Sequence, residues 1–177
     1  ASAPAAETVA PRPVNRGAGP GDSLRRALAE PVAALRGWDY RWSAASVPTT
    51  LAVSWGDALW ARSRQADLED LSLYEFMARR TTRALRLEAL AEAVDQLTRD
   101  FGTWRTPWGE VNRFQRLTDD IVHPFDDAGP SLPVPFTSSR WGSLASFGTV
   151  TPAGTKKRYG VSGNSFVAVV EFGDSVR

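Results

Sequence analysis

The stretch that decides the fold of this chain is residues 158–173, which read RYGVSGNSFVAVVEFG. Every second residue from 166 to 172 is apolar, and Val167 and Val169 between them are apolar as well. Successive side chains of a strand point to opposite faces, so both faces of this segment require cover from other parts of the chain. The sequence therefore predicts a central strand here.

Helical spacing dominates the first half of the chain. Apolar residues recur every three or four positions from Thr82 to Phe101, and Gly102 follows, which predicts one long amphipathic helix. A second helix is predicted around Leu51, where large apolar residues recur every fourth position. Residues that favour helix termini mark the other predicted boundaries: Ser23, Pro31, Gly37, Thr49 or Thr50, and Ser72.

The second half of the chain reads as strands. Residues 111–117 have mixed polar and apolar faces, which predicts a strand near a sheet edge or beside another subunit. Arg113 within it has the fork geometry to hold a carboxylate, and a structural ion pair is the preferred interpretation. Two further strands are predicted over 141–150 and 158–172, joined by a tight turn at 152–154.

This order of elements predicts the α+β class, with helices followed by antiparallel strands. Three segments are predicted: an irregular linker or loop over 1–22, a helical segment over 23–102 and a strand-rich segment over 103–177.

Composition limits the classes of function. Hydrophobic residues make up 42% and charged residues 23%, which is typical of a folded globular chain. The net charge of +1 gives no electrostatic case for binding nucleic acid, and the basic triplet at 156–158 is predicted to be a solvated turn. The absence of cysteine removes disulfides, thiolate catalysis and zinc-thiolate sites, and no apolar run is long enough to span a membrane.

One acidic cluster includes the only histidine of the sequence. Its members are Asp119, Asp120, His123, Asp126 and Asp127. The spacing lacks the alternating oxygen ligands and glycine of a calcium loop, and zinc would need more than one soft or imidazole ligand. No serine motif of the form Gly-x-Ser-x-Gly accompanies the histidine as a general base. We therefore predict an irregular surface loop, with no metal, cofactor or catalytic role.

Tryptophans form the other candidate binding feature: Trp38, Trp42, Trp104 and Trp108. Large rings flanked by helices favour a core role, whereas exposed rings would bind a carbohydrate or a partner. A stand-alone binding or interaction module that uses these four side chains therefore stays open as an alternative.

Three blocks of the sequence resemble the penicillin acylase family, which includes penicillin, acyl-homoserine lactone and aculeacin-type acylases. The blocks are TPWGEVNRFQRL at 106–117, WGSLASFG at 141–148 and the 158–173 stretch. The similarity extends from about Leu35 onward, in the family's order. In the family these blocks lie late in the large, nucleophile-bearing subunit, so the resemblance implies that this chain is the C-terminal part of that subunit.

The resemblance implies the four-layered αββα fold of N-terminal-nucleophile hydrolases, produced by self-cleavage of a precursor. It implies hydrolysis of the amide bond of N-acylated small molecules such as acyl-homoserine lactones or β-lactams, and hence a link to quorum quenching or antibiotic chemistry. It also implies an exported protein, periplasmic or secreted. The implied partners are the remaining chain or chains of the same acylase, including the nucleophile-bearing part, and a small N-acyl substrate.

No catalytic residue is assigned to this chain. The family's nucleophile is an N-terminal Ser, Thr or Cys whose own amine is the base, but Ala1 precedes Ser2 and the residues that follow do not resemble the family's. The family's catalytic asparagine precedes this region, so its role is not transferred to Asn112 or Asn164. We expect an architectural segment that aggregates when made alone. A small hydrolase centred on Ser2 or His123 is a further alternative.

Overall fold

The structure is a computed structural model that describes residues 20–68, 71–116, 124–164 and 173. Its helices are α1 (Pro20–Ala27), α2 (Ala29–Arg36), α3 (Val47–Ser63), α4 (Leu73–Arg79), α5 (Arg83–Phe101) and α6 (Trp108–Val111). Its strands are β1 (Asn112–Phe114), β2 (Leu132–Pro133), β3 (Phe147–Val150) and β4 (Arg158–Gly163). A 3₁₀ helix, Ser139–Trp141, lies between β2 and β3. Helices followed by a small sheet confirm the predicted α+β class.

Local sequence signals set the ends of α2, α4 and α5. Ser72 and Glu75 form a capping box at the start of α4, in which each side chain accepts a hydrogen bond from the other residue's backbone N–H. The hydroxyl and the backbone N–H of Ser72 both donate to the Glu75 carboxylate, and these two bonds lower the pKa of Glu75 because they stabilise its charged form. Thr82 caps α5, Gly102 ends it with a φ of 79°, and Gly37 follows the last residue of α2. All of these predicted boundaries are confirmed.

Two predicted helix starts were wrong. Helix α3 begins before Thr49 and Thr50, because Ser46 is the N-cap and accepts the backbone N–H of Thr49 at 3.2 Å. Helix α1 begins at Pro20, so Ser23 lies inside the helix instead of capping it. Proline suits the first helical position, since its missing N–H would have no partner there in any case.

The strands form one four-stranded sheet in the order β2-β1-β4-β3. Strand β1 runs parallel to β4, and the two outer pairings are antiparallel, so the sheet is mixed and not wholly antiparallel as the sequence predicted. Strand β1 lies next to the edge strand β2, which is consistent with the predicted position near a sheet edge, and β4 covers its other side. The strand predicted over 111–117 is also shorter than expected, since the chain coils into α6 as far as Val111 before it extends.

Strands β3 and β4 confirm the predicted pair joined by a tight turn. The Pro152 carbonyl accepts the backbone N–H of Thr155 at 3.0 Å, and Gly154 has a φ of 83°. A positive φ at this third position is what a type II turn requires, and glycine adopts it without steric cost.

The boundaries of these two strands differ from the prediction. Trp141 lies in the 3₁₀ helix, and β3 begins only at Phe147, so the strand predicted from 141 was placed six residues too early. Strand β4 follows the prediction from Arg158 to Gly163. The apolar segment 165–172 of the predicted central strand lies outside the described residues.

Helix α3 is the centre of the helical layer, and it contacts α2, α4, α5 and α6. Its Leu51 and Val53 are buried together with Leu90 and Leu97 of α5, and Trp108 of α6 completes this core. Burying one leucine contributes about 1.5–3 kcal/mol relative to leaving it exposed. The predicted apolar stripe of α5 is therefore confirmed as the face that packs on α3.

Glycine at position 109 allows α6 to lie against two other segments. A Cβ atom at Gly109 would stand 2.8 Å from the Cβ atoms of both Ala44 and Pro133, closer than carbon atoms approach without strain. The backbone N–H of Gly109 also donates to the Ala44 carbonyl at 2.7 Å. This contact joins the loop before α3 to the sheet.

We expect Gly109→Ala to lower the free energy of unfolding by about 1–3 kcal/mol, because the added methyl group overpacks this contact. Urea denaturation of the purified protein measures the change. The control is Gly21→Ala in α1, where nothing lies within 4 Å of the added atom. This control should leave stability unchanged or raise it by up to about 1 kcal/mol. Equal effects of the two variants would contradict the close contact at Gly109.

Candidate functional site

A cavity of about 500 Å³ lies where the helices meet the sheet. Its walls come from α3, α4, α6, the 3₁₀ helix and strands β1, β3 and β4. We call it the arginine cavity, after the charged side chains that define it: Asp57, Arg140 and Arg158.

One carboxylate faces two guanidinium groups in the arginine cavity. Arg158 Nη1 donates to Asp57 Oδ2 at 2.6 Å, and Arg140 Nη1 lies 3.8 Å from Asp57 Oδ1. Trp141 Nε1 donates to the same Oδ1 at 3.1 Å. Both oxygens of the aspartate are thus engaged, and the three charged groups together carry one excess positive charge.

Packing of Trp141 on α3 fixes the 3₁₀ helix in place. A Cβ atom at Gly56 would lie 2.8 Å from Cη2 of the Trp141 ring, so only glycine lets the indole lie this close to the helix. The Trp141 ring meets Trp60 edge-on at 6.2 Å, and the guanidinium of Arg140 stands 4.8 Å from the centre of the Trp60 ring. Arg140 is therefore held between an aromatic face and the Asp57 carboxylate.

Asp127 binds residues on both sides of Arg158. Its carboxylate accepts the backbone N–H groups of Lys156 and Lys157 and the hydroxyl of Tyr159, the last at 2.7 Å. Tyr159 is fully buried, and its ring stacks on Phe125. The start of β4, and with it the position of Arg158, thus depends on one carboxylate.

These contacts shift two pKa values in opposite directions. Burial alone would raise the pKa of Asp127, but the hydrogen bonds from Tyr159, Lys156 and Lys157 outweigh it and lower the pKa. Burial and the hydrogen bond to Asp127 raise the pKa of Tyr159 well above its usual value. The pair therefore keeps a neutral hydroxyl donor and a charged acceptor across the neutral pH range.

We expect Asp127→Asn to lower the free energy of unfolding at pH 7 by about 1.5–3 kcal/mol, the usual value of hydrogen bonds to a charged group. Because the folded-state pKa of Asp127 is lowered, its contribution is present above the unfolded pKa of about 3.9 and is lost as the pH falls towards the folded pKa. The difference between wild type and variant should therefore shrink below about pH 4.

Urea denaturation at several pH values checks this prediction. The matched control is Asp95→Asn, an exposed carboxylate on α5. A difference between wild type and Asp127→Asn that stays constant down to pH 2.5, roughly a pH unit below the usual aspartate pKa, would contradict the proposed charge dependence.

Within the part of the chain that the structure describes, Arg113 pairs with no carboxylate, contrary to the preferred ion-pair interpretation. Its guanidinium donates to the Ser131 hydroxyl at 2.9 Å, to the Ser131 carbonyl and to the Gly109 carbonyl at 2.8 Å. The antiparallel pairing of β1 with β2 brings Ser131 within reach of the guanidinium, and Gly109 lies only four residues earlier in the chain. Arg113 therefore joins the residue that precedes β2 to α6.

The sequence predicted a solvated turn at the basic triplet 156–158, but the structure gives all three residues specific partners. Lys156 and Lys157 are bound to Asp127 through their backbone N–H groups, and Lys157 Nζ donates to the Asp127 carbonyl at 2.7 Å. Arg158 is the cavity residue that pairs with Asp57. The sequence shows three adjacent cations, but it does not indicate that Asp127 and Asp57 are their partners.

The four tryptophans do not form one binding surface. Trp108 is 1% exposed, and its Nε1 donates to the Phe136 carbonyl at 3.2 Å. Trp104 lies under the guanidinium of Arg105, 4.4 Å from the ring centre. Trp38 and Trp42 meet edge-on at 5.8 Å. The core interpretation is confirmed for Trp108.

Trp38 and Trp42 line a second cavity of about 430 Å³. Tyr40, 76% exposed, and Trp141 also line it. Its walls are mainly aromatic, in contrast to the arginine cavity.

The acidic cluster is only partly described. Asp119, Asp120 and His123 lie outside the described residues, as does Ser2. Within the described ranges no group of three or more potential metal ligands occurs. The main chain of Asp126 is held at both its N–H and its carbonyl by the Gln115 side chain.

Both asparagines considered from the sequence have structural partners. Asn112 is buried, and its Nδ2 donates to the carbonyls of Val134 and Phe136 at 2.9 and 2.8 Å. Its Oδ1 is buried without a partner in the part of the chain that the structure describes. Asn164 Oδ1 accepts the backbone N–H of Ser146.

Sequence reasoning missed the arginine cavity because its charged residues come from distant segments. Asp57 is 101 residues from Arg158 and 84 from Trp141. The one feature of the sequence that could have indicated this cavity is the position of its arginines relative to the motif blocks. Arg140 directly precedes one block, and Arg158 is the first residue of another.

The described part of the chain is thus an α+β unit in which helices and sheet enclose a polar cavity. The family model for penicillin amidase matches residues 1–177, so the chain belongs to the penicillin amidase family. This confirms the resemblance carried by the three motif blocks and makes the chain a relative of amide-cleaving acylases. No curated protein matches the chain. None of the described helices is long and apolar enough to cross a membrane.

Proposed function

We propose that this chain is the architectural C-terminal segment of an amidase that hydrolyses N-acylated small molecules, such as acyl-homoserine lactones or β-lactams. Membership of the penicillin amidase family is the observation that carries this proposal. The nucleophile belongs to another part of the same acylase, which is produced by self-cleavage of a precursor and is periplasmic or secreted. Roles in quorum quenching or antibiotic chemistry belong to the same proposal.

The hydrogen bonding of the described residues supports an architectural role. The groups best suited to chemistry, Asp57, Asp127 and Tyr159, each bind partners from other segments. The sequence has one histidine, and it lies outside the described residues, so no serine-imidazole pair is formed within them. These polar side chains fix packing, and the chemistry is assigned to the nucleophile-bearing part.

In the proposed reaction, a nucleophile attacks the acyl carbonyl and its own α-amine takes the proton. The oxyanion that forms is held by preorganised hydrogen-bond donors. The amine part of the substrate then takes the proton from the α-amine and leaves. Water releases the acid from the acyl-enzyme. We assign none of these steps to the side chains of this chain.

Native mass spectrometry and N-terminal sequencing of the purified full-length protein test this assignment. We expect a complex in which one chain begins with Ser, Thr or Cys, because self-cleavage exposes the nucleophile. Alanine at that position should abolish amide hydrolysis, whereas Ser2→Ala and His123→Ala should leave it unchanged. Loss of hydrolysis in either of these two variants would instead support a small hydrolase centred on this chain.

A second prediction concerns the chain produced alone. Large apolar side chains are exposed in the described residues, including Leu144 at 94%, Leu132 and Phe136. Such surface is expected to be covered in the assembled acylase and to cause aggregation without it. Size-exclusion chromatography and thermal melting measure this, and a sharp, reversible melt of a monodisperse monomer would argue against it.

The aromatic cavity at Trp38 and Trp42 favours one alternative, a binding module for a carbohydrate or partner. Tryptophan quenching by oligosaccharides, seen with a stable monomer, would support this alternative. Lack of quenching would leave these rings as packing residues.

A further inference from the structure

We propose that the arginine cavity binds a small organic carboxylate, with its acid group held by Arg140 and Arg158. This goes beyond the proposed function, which gives this chain no ligand contact. The inference rests on the excess positive charge, the free donor capacity and the walls of this cavity.

The two guanidinium groups have donors to spare. Each arginine carries five N–H donors, and Arg158 donates one of them to Asp57. Arg140 approaches Asp57 only to 3.8 Å, which is too long for a hydrogen bond. A carboxylate in the cavity would supply the second negative charge, and guanidinium forks bind carboxylates through paired hydrogen bonds.

The surroundings of these groups strengthen such a contact. The Arg158 side chain is 25% exposed and that of Arg140 is 48% exposed, so one lies within the cavity and the other nearer its mouth. The guanidinium of Arg158 stands 5.9 Å from the centre of the buried Trp108 ring. A charge interacts more strongly with its partner where a ring such as this one replaces water on one side of it.

The lining defines the size and character of the ligand. A volume of about 500 Å³ lies within the range of small-molecule sites. Trp108, Trp141 and Phe147 provide aromatic walls, while Ser138 and Thr149 add hydroxyl groups. This combination fits a carboxylate attached to an aromatic or short aliphatic body.

One further atom in the lining lacks a partner. Asn112 lines the cavity, and its buried Oδ1 accepts no hydrogen bond from the described residues. Buried polar atoms without partners are uncommon in folded proteins. A hydroxyl or N–H group on the ligand, or a water bound with it, would satisfy this acceptor.

Binding of benzoate to the full-length protein tests the proposal, with benzamide as the neutral ligand of nearly the same shape. Trp108 and Trp141 line the cavity, so tryptophan fluorescence is expected to change on binding; calorimetry gives the affinity, and the Arg140 variants below assign the site. We expect benzoate to bind at least about tenfold more tightly than benzamide at constant ionic strength, since hydrogen bonds to a charged group contribute more.

The variant Arg140→Gln should weaken benzoate binding by about tenfold or more and leave benzamide binding unchanged. The matched control is Arg62→Gln, which removes a guanidinium paired with Glu88 and Glu92 outside this cavity. Arg140→Lys keeps the positive charge but loses the paired N–H donors of the guanidinium, so its affinity for benzoate should be intermediate. The same variant tests the proposal if Arg140→Gln fails to fold.

Three results would overturn the proposal: no benzoate binding, equal affinity for benzoate and benzamide, or equal effects of the Arg140 and Arg62 variants. The amidase assignment is measured separately by amide hydrolysis. Failure of this proposal therefore leaves that assignment intact.

Discussion

The carboxylate of Asp57 joins the helices of this chain to its sheet. It lies on α3, the helix at the centre of the helical layer, and accepts hydrogen bonds from Trp141 of the 3₁₀ helix and Arg158 of β4. Because a partly shielded carboxylate is costly without its partners, these bonds specify one arrangement of distant segments. The arginine cavity exists because this single anion lies between two cations, and it binds them unequally, one at 2.6 Å and the other at 3.8 Å.

A second set of interior polar groups fixes the loop that precedes the 3₁₀ helix. Trp108 and Asn112 both donate to the Phe136 carbonyl, and Asn112 also donates to that of Val134. These bonds satisfy backbone oxygens that have no strand partner, as buried carbonyls require. The close approach at Gly109 brings α6 to the same place. In the described residues the strands are short, and side chains of α6 and β1 supply hydrogen bonds that a longer strand pairing would otherwise provide.

The sequence predicted those features of the fold that are determined by residues close together in the chain. The ends of α4 and α5 were predicted because Ser72, Thr82 and Gly102 act on their own backbone neighbours. The cap of α3 was misplaced because several candidate hydroxyls lie close together there, and only tertiary packing buries Thr49 and Thr50 within the helix. The partner of Arg158 could not be predicted, since it is set by how the sheet meets α3, and the Ser131 partner of Arg113 is set by the pairing of β1 with β2.

The positive charge of the arginine cavity determines which molecule of the amidase reaction it would bind. An amidase converts a neutral amide into a carboxylic acid, which is ionised at neutral pH, and an amine. A neutral amide in this cavity would displace water from the two guanidinium groups without supplying a counter-charge, which is unfavourable. A carboxylate supplies that charge. On this proposal the cavity distinguishes the acid from an uncharged amide such as an acyl-homoserine lactone, although not from a penicillin, which has a carboxylate of its own. It would bind a released acid or another carboxylate and not the uncharged acyl group of the substrate.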